Sequence, residues 1–282
     1  MPRINHELCY TYAMGRPPSP FDHIKFRRAV GYLAIGLIPY ALITMLDNVI
    51  LSDIVTLIWI HGTMLWWGRE QIVGTGLNIN HLFGSFKWSS VVLVIGITVL
   101  MIVMSYGVIL LYYFGLITLF GNTFLGIINT NAVGSQVGVV LGIVLIPYIE
   151  EFFFRGVLMQ TLVSRLGFTK GIILSSLVFG FAHFEFISAT IFGIVLAILY
   201  IKFKSLWVPI AVHTLNNAIA FLPSLLFSSV DDVSSSDLVA SETLWIGLFL
   251  VGITLPFVVF LLRRWWPQSG ELLPLVYNAS NG

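Results

Sequence analysis

The chain has 282 residues, of which 57% are hydrophobic and 10% charged, with a formal net charge of +1. Soluble domains carry about a quarter charged residues, so this chain has too little charge to cover a water-facing surface, and lipid is its expected solvent. The charge balance leaves no electrostatic footprint for nucleic acid, and the single cysteine, Cys9, excludes a disulfide framework within one chain.

In chain order, residues 1–28 hold Pro17, Pro18, Pro20 and several charges without an apolar core. They read as an N-terminal tail and not as a cleavable signal peptide. Eight apolar segments follow, at about 29–46, 54–67, 88–120, 134–162, 171–183, 187–201, 206–227 and 244–262. In lipid a spanning segment must satisfy its own backbone hydrogen bonds, and no long β-alternation is present. The expected fold is therefore all-α, a polytopic transmembrane bundle of about eight helices over residues 29–264, with residues 265–282 as a second tail. Several segments fall short of the roughly 20 residues of an ideal span, which tilt or local thinning of the bilayer accommodates.

The loop charges set a topology. Arg16, Lys25, Arg27 and Arg28 precede the first segment, and Arg69 and Lys87 lie between the second and third. Arg165 and Lys170 follow the fourth, Lys202 and Lys204 follow the sixth, and Arg263 and Arg264 close the eighth. If all eight segments cross, every one of these cations falls on one side. The other side holds 122–133 and the acidic Asp231, Asp232, Asp237 and Glu242. The positive-inside rule then puts both termini in the cytoplasm. Trp66, Trp67, Trp88, Trp265 and Trp266 are expected as interfacial anchors.

Ionisable groups at membrane depth are costly and mark function by default. Here they gather in the fourth to seventh segments. Glu151 and Arg155 are four apart in Glu150-Glu151-Phe152-Phe153-Phe154-Arg155-Gly156; on a helix they share a face, acid before base, and are expected to pair. Glu150 points about 100° away and has no local cation. A buried carboxylate in that position needs a partner or a proton, and a histidine from a neighbouring helix would make a general base able to hold water. Pro147, one turn earlier, is placed to kink the helix and open room there. In Phe179-Gly180-Phe181-Ala182-His183 the small residues Gly180 and Ala182 permit close helix approach. His213 and Asn217 are four apart on one face, and both side chains can donate hydrogen bonds to a developing oxyanion. For the first motif the alternative to function is a structural ion-pair network between helices; His183 alone reads as a core or interface histidine, and the His213–Asn217 pair alone reads as helix packing.

Together the three pieces resemble the CAAX-protease and bacteriocin-processing (CPBP or Abi) family of intramembrane glutamic endopeptidases. The family pattern, Glu-Glu-x-x-x-Arg, then Phe-x-x-x-His, then His-x-x-x-Asn or Asp, is matched in order by Glu150-Glu151…Arg155, Phe179…His183 and His213…Asn217. The resemblance covers about 140–220, within a protease core expected at about 134–227. It implies that Glu150 activates the attacking water with His183 as partner and that His213 and Asn217 stabilise the oxyanion. It also implies that Glu151 and Arg155 hold the site together and that Phe179 packs beside it. The implied substrate is a peptide or a lipidated protein; known members cut prenylated CAAX proteins, and the wording of the first motif looks more like the bacterial branch. No cofactor is implied. Zinc is the alternative, because Glu150, His183 and His213 are of the right ligand types, although the His-Glu-x-x-His signature is missing.

Two other classes stay open on the sequence. Buried Glu, His and Arg also suit a proton-coupled transporter, but no internal repeat supports one. A catalytically silent scaffold or immunity protein of the same family, bound to a partner membrane protein, would retain the same residues for packing.

Overall fold

The computed structural model describes residues 19–26, 31, 49–121, 136–226, 241–268 and 270–281. The first expected segment, Cys9 and most of the N-terminal tail, and the loops at 122–133 and 231–240 lie outside the described residues. Among those described, the secondary structure is helical throughout.

Helix α1 (49–73) runs as Val49–Val55, a π-helical stretch Thr56–His61, and Gly62–Val73. A short α2 (Asn80–Phe83) precedes α3 (Val91–Phe120), a helix of 30 residues. Helix α4 (136–166) runs as Gln136–Glu151, a second π-helical stretch Phe152–Met159, and Gln160–Leu166. It is followed by α5 (Phe168–Phe181), α6 (Phe186–Phe203), α7 (Trp207–Leu226), α8 (Ser241–Trp265) and α9 (Pro274–Asn281). Among the described residues, four helical stretches are long and apolar enough to cross a membrane: Ile50–Val73, Trp88–Phe120, Phe186–Phe203 and Ser241–Trp265. They coincide with the second, third, sixth and eighth segments read from the sequence, and the architecture is a helical membrane bundle.

Helix α6 is the centre of the bundle. Val195 through Ile201 are all at most 1% exposed, which is why this helix is apolar on every face and not along one stripe. It packs on α5, α7, α3 and α8. At its crossing with α5 the absent side chain of Gly180 matters. A Cβ there would fall 2.1 Å from Thr190 Oγ1 and 2.9 Å from the Phe186 carbonyl oxygen. Ala182, expected to serve the same approach, is instead exposed beyond the end of α5, because α5 stops at Phe181 and the chain turns. Helices α3 and α8 meet through a second pair of small residues. A Cβ on Gly107 would lie 2.9 Å from Leu250 Cβ, and one on Gly247 would lie 2.8 Å from Leu111 Cδ2. Close backbone approach through such residues is how helices associate where lipid removes the hydrophobic drive.

The connections that carry the basic residues meet at one end of the bundle. Arg165 Nη2 donates to the carbonyls of Phe21 and Ile24, and His23 Nε2 lies 3.0 Å from the Gln71 carbonyl. Lys204 Nζ pairs with Glu271 at 2.7 Å, and Asn278 donates to the carbonyls of His81 and Lys204. The N-terminal turn, the α1–α3 connection, the α4–α5 and α6–α7 turns and the C-terminal segment therefore share an end. The C-terminal stretch is less a free tail than a docked one: Leu275 is fully buried, and its amide donates to Gln160 Oε1 at 3.0 Å. Trp67 also departs from its expected place in an interfacial belt. It is 3% exposed and lies between Phe26 and Phe153, with ring centroids 5.8 Å away on both sides. Trp66 and Trp88 remain exposed as expected.

Candidate active site

The site is built where α4 changes its winding. Glu150 and Glu151 are the last two residues of the first α-helical part of α4, and Arg155 lies in the π-helical part that follows. Pro147, inside the first part, lacks the amide that would bond back one turn. The neighbouring Gly142 carbonyl accepts a hydrogen bond from Asn217 Nδ2 of α7 at 2.9 Å. π-Bulges of this kind are frequent at functional sites. Here both α1 and α4 have one, and both flank Glu150.

The two carboxylates take different partners. Glu151 and Arg155 form a fully enclosed pair, Nη1 to Oε1 at 2.7 Å, with side chains 0% and 3% exposed. Arg155 also donates from Nη2 to the Gly193 carbonyl of α6 at 3.3 Å, and its guanidinium lies 4.3 Å from the centroid of the Phe179 ring. Three of its sides are thus satisfied, by a charge, a carbonyl and a π-face, which makes a cation tolerable at this depth. Phe179, 1% exposed, also lies against His183 and His213, with centroids 4.4 and 5.8 Å away.

Glu150, 13% exposed at its side chain, faces three imidazoles. His183 Nε2 is 4.0 Å from its Oε2, His213 Nε2 is 3.8 Å from the same oxygen, and His61 Nε2 is 3.7 Å from Oε1. Each of the three rings is held from behind by its other nitrogen. His183 Nδ1 lies 2.8 Å from the Phe179 carbonyl, His213 Nδ1 lies 2.8 Å from Glu151 Oε1, and His61 Nδ1 lies 3.4 Å from the Thr56 carbonyl. An acceptor at Nδ1 fixes the proton there, so each ring turns Nε2 towards Glu150. His213 therefore touches both carboxylates, a link that spacing along the chain could not supply.

Every motif residue of the sequence reading is thus at or beside one cluster: Glu150, Glu151, Arg155, Phe179, His183 and His213 in direct contact, with Asn217 one turn beyond His213 on α7. His61 was not among them. It sits in a different segment, far upstream, and its only sequence signal was a histidine inside an apolar run. The site is closed on the Arg155 side, while His183 has 30% of its side chain accessible. His183 lies in the turn between α5 and α6. With 14 residues, α5 is about 21 Å long, shorter than the roughly 30 Å hydrocarbon layer. That turn therefore ends within the apolar depth of a bilayer whose other boundary lies at the start of α5.

The comparisons fall on this region. Residues 132–219 match the Rce1-like family, described as type II CAAX prenyl endopeptidase Rce1-like. A Bacillus subtilis (strain 168) protein named "Putative membrane peptidase YdiL" is 30% identical over 82 residues, 28% of this chain. The chain spans 34% of that protein's length. No solved structure matches. The family match begins just ahead of α4 and ends two residues after Asn217, so it contains all three motifs, and both comparisons support the CAAX-protease and bacteriocin-processing family.

Proposed function

We propose that this protein is an intramembrane endopeptidase of the CAAX-prenyl-protease type, hydrolysing a peptide bond with water activated by Glu150. The observation that carries the reading is the division of labour between adjacent carboxylates. Glu151 is consumed by Arg155 and His213, whereas Glu150 is set apart from that pair and faced by imidazole nitrogens 3.7 to 4.0 Å away. Those separations exceed a direct hydrogen bond, and polar groups so spaced are commonly joined through water. A water at about 2.8 Å from both Glu150 Oε2 and His183 Nε2 would satisfy ordinary hydrogen-bond geometry.

In the proposed reaction that water gives its proton to Glu150 as its oxygen attacks the carbonyl carbon of the substrate. The carbonyl oxygen becomes an oxyanion. His213 and Asn217 supply donors towards it. His213 can do so when both ring nitrogens carry protons, Nδ1–H directed to Glu151 and Nε2–H into the site. Asn217 has two amide donors, one of them directed to Gly142. Collapse of the tetrahedral intermediate breaks the C–N bond, and Glu150 returns its proton to the leaving amine. Phe179 and Arg155 hold His183, His213 and Glu151 in register but touch no reacting atom.

Among the described residues, no group of three or more His, Cys, Asp or Glu is arranged to hold a metal ion, and no step of this reading passes through one. The substrate is a peptide or lipidated protein reaching the site from within the bilayer, and both termini are read as cytoplasmic on the positive-inside rule. The test is a cleavage screen with purified protein in liposomes. Unmodified and farnesylated peptides are presented and the products read by mass spectrometry. A discrete cut in any of them supports the reading; a folded protein that cuts none of them contradicts it.

A further inference from the structure

His61 lies outside the matched segment 132–219 and outside all three motifs, yet it occupies one side of the same carboxylate. The two motif histidines both face Oε2 of Glu150; His61 alone faces Oε1, at 3.7 Å. It is 8% exposed, and its ring is fixed from behind by the Thr56 carbonyl. It closes the π-helical stretch Thr56–His61, a winding that admits an extra residue in the turn and so changes which side chains of α1 face α4. A buried imidazole held at one nitrogen and aimed at a carboxylate with the other is more than core filling, for which an apolar side chain would serve at no desolvation cost.

We propose that His61 is a positioning residue for Glu150, holding Oε1 through a water so that Oε2 stays presented to His183 and His213. A carboxylate rotates about its terminal torsion through a broad, two-fold well. With both acceptor oxygens free to exchange, the proton-accepting oxygen would be misplaced in part of the population. Anchoring Oε1 from α1 removes that freedom. It also makes the site depend on a helix that precedes the family segment, so the catalytic unit extends beyond residues 132–219. This inference rests on the reading of Glu150 as the base.

The test compares His61→Gln, His61→Asn and His61→Met with wild type and with Glu150→Gln, on a peptide that the wild type cleaves. Glutamine places an amide N–H near the position of Nε2, asparagine carries the same group on a shorter arm, and methionine fills the space without a polar hydrogen. The expected result is a kcat lowered about 100-fold in the Met and Asn variants, the order of loss for a misplaced catalytic group. KM should stay within about twofold, and His61→Gln should recover most of the rate. The unfolding midpoint of each variant is read in parallel, and should the Met variant fail to fold, the Gln–Asn pair carries the comparison. Full kcat in the Asn variant, or equal losses in Gln and Asn, would overturn the proposal. Glu150→Gln separates the two levels of inference. If it stays active, the reading of Glu150 as the base has failed; if it is inactive while the His61 variants run at full rate, only the role of His61 has.

Discussion

Removing the guanidinium of Arg155 tests whether the closed side of the site is held by charge. Its pair with Glu151 is enclosed on both sides, at 2.7 Å with side chains 3% and 0% exposed. Breaking such a pair by deleting one partner costs about 3–5 kcal/mol, because the remaining charge is buried without compensation. Arg155→Met also forfeits the contact over Phe179, which falls within that range, and leaves Glu151 with His213 alone. Glu151→Gln strands the cation in the same way. The double variant Glu151→Gln/Arg155→Met buries no unpaired charge, so its loss should be smaller than the sum of the two single losses by about 2–3 kcal/mol. Unfolding in mixed micelles with a rising fraction of denaturing detergent, followed by near-ultraviolet circular dichroism, measures all four proteins of the cycle. Losses that add to within about 0.5 kcal/mol, the scatter expected of independent sites, would refute the claim that the two residues act as one buried unit.

Two further outcomes follow from the packing. Gly180→Ala would set a methyl group against Thr190 and the Phe186 carbonyl, and the overpacking should cost about 1–3 kcal/mol, measured as a lowered unfolding midpoint; an unchanged midpoint would mean that the α5–α6 crossing yields easily. Arg165→Ala would release the carbonyls of Phe21, Asp22 and Ile24, so the N-terminal turn should open more often and be cut faster by trypsin at Lys25, with the rate of peptide cleavage by the enzyme unchanged.

The helical membrane architecture was legible because most apolar runs are bounded by charge at one end or both, and the start of α3 after Lys87 and both boundaries of α6 and α8 follow those charges closely. The separation of Glu150 from Glu151 was legible for the same kind of reason: a one-residue step on a helix turns the side chain by about 100°, and Arg155 at four residues' distance fixed which of the two would pair. Three things were not legible. The winding of α1 and α4 changes to π within otherwise ordinary apolar sequence, and no residue type marks it. His61 reaches Glu150 through that winding and across a long stretch of chain, so local spacing could not connect them. Trp67 was assigned to a lipid interface because tryptophan is common there, but whether an indole faces lipid or Phe153 is decided by tertiary packing. The bridging of both carboxylates by His213 belongs to the same class, since it depends on the crossing of α4 and α7 and not on either sequence alone.

The central claim is that Glu150 activates water. Its most direct test is the cleavage rate of one identified substrate by wild type and Glu150→Gln in liposomes, each with and without a metal chelator. The account predicts that Gln lowers the rate roughly 1,000-fold, within the range contributed by a positioned general base, while the unfolding midpoint is retained and the chelator leaves wild type unaffected. Cleavage by Glu150→Gln at a rate near that of wild type would contradict it, and so would loss of the wild-type activity to the chelator.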